Sequence, residues 1–120
     1  MTLEKRVKIC FISGAAHSGS TLLGLILGSH SSTFFTGEAN KVSYFLDPNF
    51  EPERKYCRVC GKGCKIWSKI DLDKDNLYEQ LFKLVKKPII IDSTKNLDWI
   101  NSQLEKLKII RIETLIIFLK

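Results

Sequence analysis

The sequence predicts an α/β fold built on a parallel sheet. Three observations carry that expectation. Short apolar runs close on glycine or polar turn residues, as in "RVKICFISG" and "KPIIIDSTKN", and unbroken apolar strands of this kind are buried on both faces. Between them stand stretches with apolar residues at helical spacing, such as Leu77, Leu81, Leu84 and Val85. The order is strand, helix, strand, irregular insert, helix, strand, helix, strand, the alternation of βα units.

Each element has its own signal. "RVKICFIS" reads as a buried strand ending at Ser13-Gly14. "STLLGLILGSH" places Leu22, Leu23, Ile26 and Leu27 at helical spacing, with Ser18 or Ser20 as cap and Gly28 at the end. Gly24 and Gly28, four residues apart, would let this helix pack close to a sheet. "TFFTGE" is a short aromatic strand. From about Asp47 to Ser68 the pattern fails: two of the three prolines, a charge cluster and three cysteines mark an excursion from the core. "DKDNLYEQLFKLVKK" resumes as an amphipathic helix with Asp75 as its cap. "KPIIIDSTKN" is strand then loop, and "LDWINSQLEKL" is a helix with a stripe at Ile100, Leu104 and Leu107. "IIRIETLIIFLK" supplies one or two further strands.

With 120 residues and 44% hydrophobic content, the chain suits one compact domain. A domain of this size buries roughly two-thirds of its unfolded surface. A formal charge of +6 and a pI near 9.2 favour acidic ligands. The basic residues are scattered, as on a solvated surface. The apolar run Leu22 to Leu27 is broken by Gly24, and a spanning helix needs about 20 apolar residues. The first residues mimic a secretion signal, but Val7 to Ile12 is short and contains Lys8, so it reads as a strand and the protein as cytoplasmic.

The turn "SGAAHSGSTLLG" carries the most chemistry. It follows the phosphate-binding pattern G-x-x-x-x-G-K-[ST] through Gly14, Gly19 and Thr21, except that Ser20 occupies the lysine position. A strand turning sharply into a helix aims backbone N–H groups and the positive end of the helix dipole at one spot, which favours an anion. Glycines allow the turn and the close approach of the ligand. Ser18, Ser20 and Thr21 add hydroxyls. Without the lysine, triphosphate hydrolysis lacks a main positive group, while the anion cradle remains.

In sum, "ISGAAHSGSTLLGLILGSHSSTFFTGE" resembles the opening of sulfotransferases that use 3′-phosphoadenosine 5′-phosphosulfate (PAPS). That family opens with a strand, G-x-x-[RHK]-S-G-[ST]-T-L-L, a helix ending near His-Pro, and then Gly-Glu. Gly14, His17, Ser18, Gly19, Ser20, Thr21, Leu22 and Leu23 fit, as do His30, Gly37 and Glu38; Ser31 stands where the family has proline. "CRVCGKGCKIW" is similar to a Cys-rich insert of a bacterial-type branch, C-x-C-G…C-P-F-W. Cys60, Gly61, Cys64 and Trp67 match, Cys57 lies one residue further out, and Lys65-Ile66 replaces Pro-Phe. "IIIDSTKN" resembles the family's strand ending in Asp-Ser-[ST]-Lys.

The resemblance implies a three-layer, P-loop NTPase-like sulfotransferase fold: a parallel sheet flanked by helices. It implies transfer of a sulfuryl group from PAPS, without a metal, to a hydroxyl or amine on a small-molecule, saccharide or peptide acceptor. Gly14, Ala15, Ala16, His17, Ser18, Gly19, Ser20 and Thr21 would hold the 5′-phosphosulfate, with Ser93 touching the co-substrate. Glu38 would be the general base, His17 would steady the bridging oxygen, and Lys95 would stabilise the transferring group. Glu38 could instead make a structural hydrogen bond to the loop, Lys95 could be a surface lysine, and Ser93 could cap the next helix.

The family's second signature, Arg-Asp-[PG]-R after a later strand, is not present. "LIIFLK" matches that strand, and Arg111 precedes it out of register. Residues 1–120 therefore read as the N-terminal part of one sulfotransferase domain, with a Cys-rich insert at about 47–68. Such a part would have weak or no activity alone, and its exposed sheet edge would favour self-association. Cys57, Cys60 and Cys64 form C-x2-C-x3-C, one ligand short of a structural zinc site, and read as metal-free. Two other functions compete. One is a nucleotide-binding P-loop protein of the kinase or NTPase class, for which Asp92 is the strand-end carboxylate available to a metal. The other is a non-catalytic polyanion-binding module, for which Tyr56 and Trp67 offer little aromatic surface; no nucleic-acid partner is expected.

Overall fold

The computed structural model describes residues 6–14, 19–40, 65–71 and 76–119. Ala15, Ala16, His17, Ser18, Asp75 and the cysteines Cys57, Cys60 and Cys64 lie outside them, as does most of the insert. The chain divides into two compact units, Met1–Ala39 with Lys87–Lys120, and Asn40–Lys86. The insert read from composition at about 47–68 falls within the second.

The first unit is built on β1 (Lys8–Gly14), β2 (Thr33–Phe35), β3 (Ile89–Asp92) and β4 (Glu113–Leu119). They form one parallel sheet in the order β2-β3-β1-β4. Central β1 is apolar in consecutive positions because it is covered on both faces: Ile9, Phe11 and Ile12 are fully buried and Cys10 nearly so. It pairs with β3 from Lys8↔Ile89 to Phe11↔Asp92, and with β4 from Lys8↔Glu113 to Gly14↔Leu119. Pairing of β2 with β3 runs from Thr33↔Ile89 to Phe35↔Ile91. Burying each large aliphatic side chain contributes about 1.5–3 kcal/mol, so the centre of the sheet is the stable part.

Helix α1 (Ser20–Gly28) follows β1. Its Leu23 and Leu27 pack on Cys10, Ile12 and Ile91, together with Phe35, Ile89, Ile117 and Leu119. The two glycines make this approach possible. A Cβ on Gly24 would collide with Cε1 and Cζ of Phe35, and one on Gly28 would stand 2.7 Å from the Phe35 Cβ. Leu22, Leu25 and Ile26 point outward and are exposed. The helix starts without a serine cap: its N-cap is Gly19, at φ 92°, with no side-chain hydrogen bond. Backbone geometry that only glycine adopts easily replaces side-chain capping here.

Helix α3 (Leu97–Ile109) lies between β3 and β4 in the chain and packs against β4. The β1-to-β2 crossover runs one way across the sheet and the β3-to-β4 crossover the other. Right-handed connections of this kind place α1 and α3 on opposite faces. The cap of α3 is Asn96, whose side chain accepts from the Trp99 N–H at 3.1 Å; Ser93, the alternative cap, belongs to the preceding loop. Its buried positions are Ile100, Gln103 and Leu107, while Leu104 is half-buried. Past the helix, Arg111 takes a left-handed φ of 61°, the Ile112 N–H donates to the Leu107 carbonyl at 3.0 Å, and a single strand, β4, follows.

In the second unit, a 3-10 turn covers Trp67–Lys69, and α2 spans Leu77–Val85. The cap is Asn76, which accepts from the Tyr78 N–H at 2.9 Å. The buried stripe of α2 is Leu77, Tyr78, Leu81 and Phe82; Leu84 and Val85 are only half-buried. The stripe is rotated from the aliphatic one because the two aromatic rings carry more surface to bury. Gln80 ties the helix to the segment before it, donating to the Asp71 carbonyl at 2.7 Å and accepting from the Asp71 N–H at 2.8 Å.

Candidate functional site

All four strands run the same way, so the turns after β1, β2 and β3 leave from one rim of the sheet. In open α/β sheets ligands bind outside the carboxyl ends of the strands. The predicted site residues that the structure describes fall on this rim.

The turn after β1 leads into α1 at Gly19. The first intrahelical bond runs from the Leu23 N–H to the Gly19 carbonyl, 3.0 Å. Donors on Ser20, Thr21 and Leu22 precede that bond, as at any helix start. No acidic residue stands in the first turn, so nothing there opposes an anion. Ser20, at the position of the P-loop lysine, is buried; Thr21 is exposed.

The turn after β2 carries Glu38, and the one after β3 carries Lys95. The structure brings these two together: Lys95 Nζ lies 3.8 Å from Glu38 Oε1, with both side chains about three-quarters covered. A carboxylate and an ammonium thus face each other across the two turns.

Backbone bonds stitch the two turns. The Thr36 N–H donates to the Ile91 carbonyl at 2.9 Å, and the Ser93 N–H to the Gly37 carbonyl at 2.8 Å. Gly37 has a left-handed φ of 70°, which turns its carbonyl into that bond at no steric cost. Asp92, fully buried, completes the seam. Its Oδ1 accepts from the Ala39 N–H at 3.2 Å, the Thr94 N–H at 2.9 Å and the Thr94 hydroxyl at 2.7 Å.

Three serine hydroxyls at this rim are buried: Ser13 near the end of β1, Ser20 opening α1 and Ser93 just past β3. None makes a hydrogen bond among the described residues. Register puts Phe11 beside Asp92, so Ser13 and Ser93 leave neighbouring strand ends. A buried unsatisfied hydroxyl costs about 1–3 kcal/mol, and such groups commonly mark the place of a ligand or water.

Gly14, Gly19, Ser20, Thr21, Glu38, Ser93 and Lys95 thus all lie on the carboxyl rim. Ala15, Ala16, His17 and Ser18 belong to the undescribed part of the turn. His30 is placed elsewhere, beyond the far end of α1, where its Nδ1 accepts from the Ser32 N–H at 3.0 Å. Sequence reasoning missed Ser13, Thr94 and the structural use of Asp92. One signal was present: an Asp closing a strand with Thr two residues on, the spacing at which an Asp side chain bonds its own backbone.

Among the described residues, no group of three or more His, Cys, Asp or Glu is placed to hold a metal ion, and no helix is long and apolar enough to cross a membrane. The chain matches no protein-family model, no curated protein and no solved structure. The fold and the site are therefore read from this chain's own residues.

Proposed function

We propose that this chain carries the phosphosulfate-binding site of a PAPS-dependent sulfotransferase. The observation that carries the proposal is the approach of Glu38 to Lys95 on the rim that holds the glycine turn. Sulfuryl transfer needs little covalent help from a protein; positioning and charge stabilisation supply most of the catalysis, as in phosphoryl transfer. The acceptor oxygen or nitrogen attacks sulfur as the bond from sulfur to the 5′-phosphate oxygen breaks. Glu38 takes the acceptor's proton, and adenosine 3′,5′-bisphosphate departs. Lys95 faces the sulfuryl oxygens, and His17 the bridging oxygen. The α1 N-terminus and the hydroxyls of Ser20 and Thr21 hold the 5′-phosphate, with Ser93 beside the co-substrate. A saccharide, peptide or small-molecule acceptor and a cytoplasmic location belong to the same reading.

A kinase or NTPase is the weaker reading. Ser20 replaces the lysine, and the strand-end carboxylate such an enzyme would give to a metal has its Oδ1 engaged by three donors. Calorimetry separates the readings: adenosine 3′,5′-bisphosphate should bind more tightly than ATP with Mg²⁺ or a single-stranded oligonucleotide. A preference for ATP with Mg²⁺ would replace this reading with the nucleotide-hydrolysing one.

A further inference from the structure

We infer that Asp92 and Thr94 are positioning residues: a buried latch that sets the distance between Glu38 and Lys95. The inference rests on the reading above for the roles of Glu38 and Lys95, and it adds what holds them in place. Neither side chain of the pair sits on a regular element. Glu38 lies three residues past β2, and Lys95 three past β3, where loops would otherwise let the carboxylate and ammonium drift. One side-chain oxygen binds both segments beside the backbone bonds between them. Asp92 Oδ1 takes the N–H of Ala39, next to Glu38, and the N–H and hydroxyl of Thr94, next to Lys95. Each of the two functional residues is thus the chain neighbour of a group bound to the same atom.

Burial gives the latch its strength. Asp92 and Thr94 are both fully buried, where water does not compete for these hydrogen bonds and an unmatched donor or acceptor is costly. The Ser93-to-Gly37 bond also ties the two loops, but only Gly37 is next to a member of the pair; Ser93 lies two residues from Lys95. The threonine hydroxyl is specific: valine has the same shape and cannot donate to Asp92, whereas serine can.

Zero-length carbodiimide crosslinking tests this on the full chain. The reagent activates the Glu38 carboxylate, and the Lys95 amine displaces it to form an amide that peptide mass mapping quantifies. The pair is close enough to react without a spacer. Thr94→Val and Asp92→Asn should each lower the Glu38–Lys95 crosslink by roughly tenfold or more, because reaction between held groups falls steeply with misplacement. Thr94→Ser should keep most of the yield. Far-UV circular dichroism and the urea midpoint report separately whether each variant is folded; if Asp92→Asn does not fold, Thr94→Val and Thr94→Ser decide. An unchanged yield in folded Thr94→Val, an equal loss in Thr94→Ser, or no crosslink in the parent protein would overturn the inference. The measurement uses neither PAPS nor an acceptor, so its outcome is independent of the bisphosphate titration that tests the proposed function.

Discussion

Gly28 stands so close to Phe35 that a Cβ on the glycine would sit 2.7 Å from the Phe35 Cβ and 3.5 Å from its backbone nitrogen. Helix α1 therefore rests almost on the backbone of β2. On propensity alone, Gly→Ala in a helix gains about 1 kcal/mol. Here the methyl meets the Phe35 Cβ, which is fixed to the backbone and cannot swing aside, and overpacking costs about 1–3 kcal/mol. Gly28→Ala should lower the urea midpoint. Gly24→Ala strikes only the Phe35 ring and should be rescued by Phe35→Leu. A midpoint raised by Gly28→Ala would disprove the close seat.

The buried hydroxyls predict opposite effects on folding and on binding. Ser20→Ala and Ser93→Ala each remove a group without a hydrogen bond among the described residues, so stability should hold or rise by about 1 kcal/mol. Affinity for adenosine 3′,5′-bisphosphate should fall, by roughly tenfold where a hydrogen bond of about 1.4 kcal/mol is lost. Calorimetry beside urea denaturation reads both. Loss of stability in both variants with unchanged affinity would remove these serines from the site.

Glu38→Gln keeps shape and removes the proposed base. In a chain that turns over, kcat should fall by about 10²–10⁴ while bisphosphate affinity changes little. Lys95→Met and His17→Ala should also lower kcat more than co-substrate affinity. Turnover unchanged in any one of the three would remove that residue's assignment.

Much of this rim is legible in the residue pattern. The apolar runs ending at Gly14 and Asp92 located two strands because each is covered on both faces and needs no alternation. The glycine turn and the pair Gly37-Glu38 announced themselves by residue type. What sequence could not show was distance. Glu38 and Lys95 lie far apart in the chain, and only the adjacency of β2 and β3 brings them together. Helix caps were misjudged by one or more positions: Asn76 beats Asp75, and Asn96 beats Ser93, because the cap is chosen by where the first N–H groups point rather than by a residue's general preference. The stripe on α2 shifted toward Tyr78 and Phe82 for a similar reason, since surface area and not aliphatic spacing decides which side turns inward.

Cys10 offers a pH test. Burial pushes its thiol above the ordinary value of 9.0, because charge is disfavoured away from water. Above about pH 9 the unfolded chain loses this proton before the folded one does. The thiol's contribution is thus fully present below that pH and is lost as pH rises through the folded value. Stability should fall more steeply between pH 8.5 and 10 in the parent than in Cys10→Ala, read as the slope of the urea midpoint against pH. Equal slopes would show that the thiol is not desolvated.

Among the described residues, strand β4 pairs on one side only, and Leu115 and Phe118 are exposed at 60% and 63%. Apolar edge strands promote association. Sedimentation should show concentration-dependent oligomers that Phe118→Lys and Leu115→Lys reduce. Identical sedimentation of parent and variants would exclude this edge as the contact.

A sheet whose strands all point one way has two unlike margins. The margin opposite the glycine turn carries Arg6 and Lys8, each within 4 Å of Glu113 on the solvent side, and no residue assigned to chemistry. It is the natural place for a handle: a dye, a surface tether or a fused carrier attached there leaves the opposite mouth open to whatever it receives.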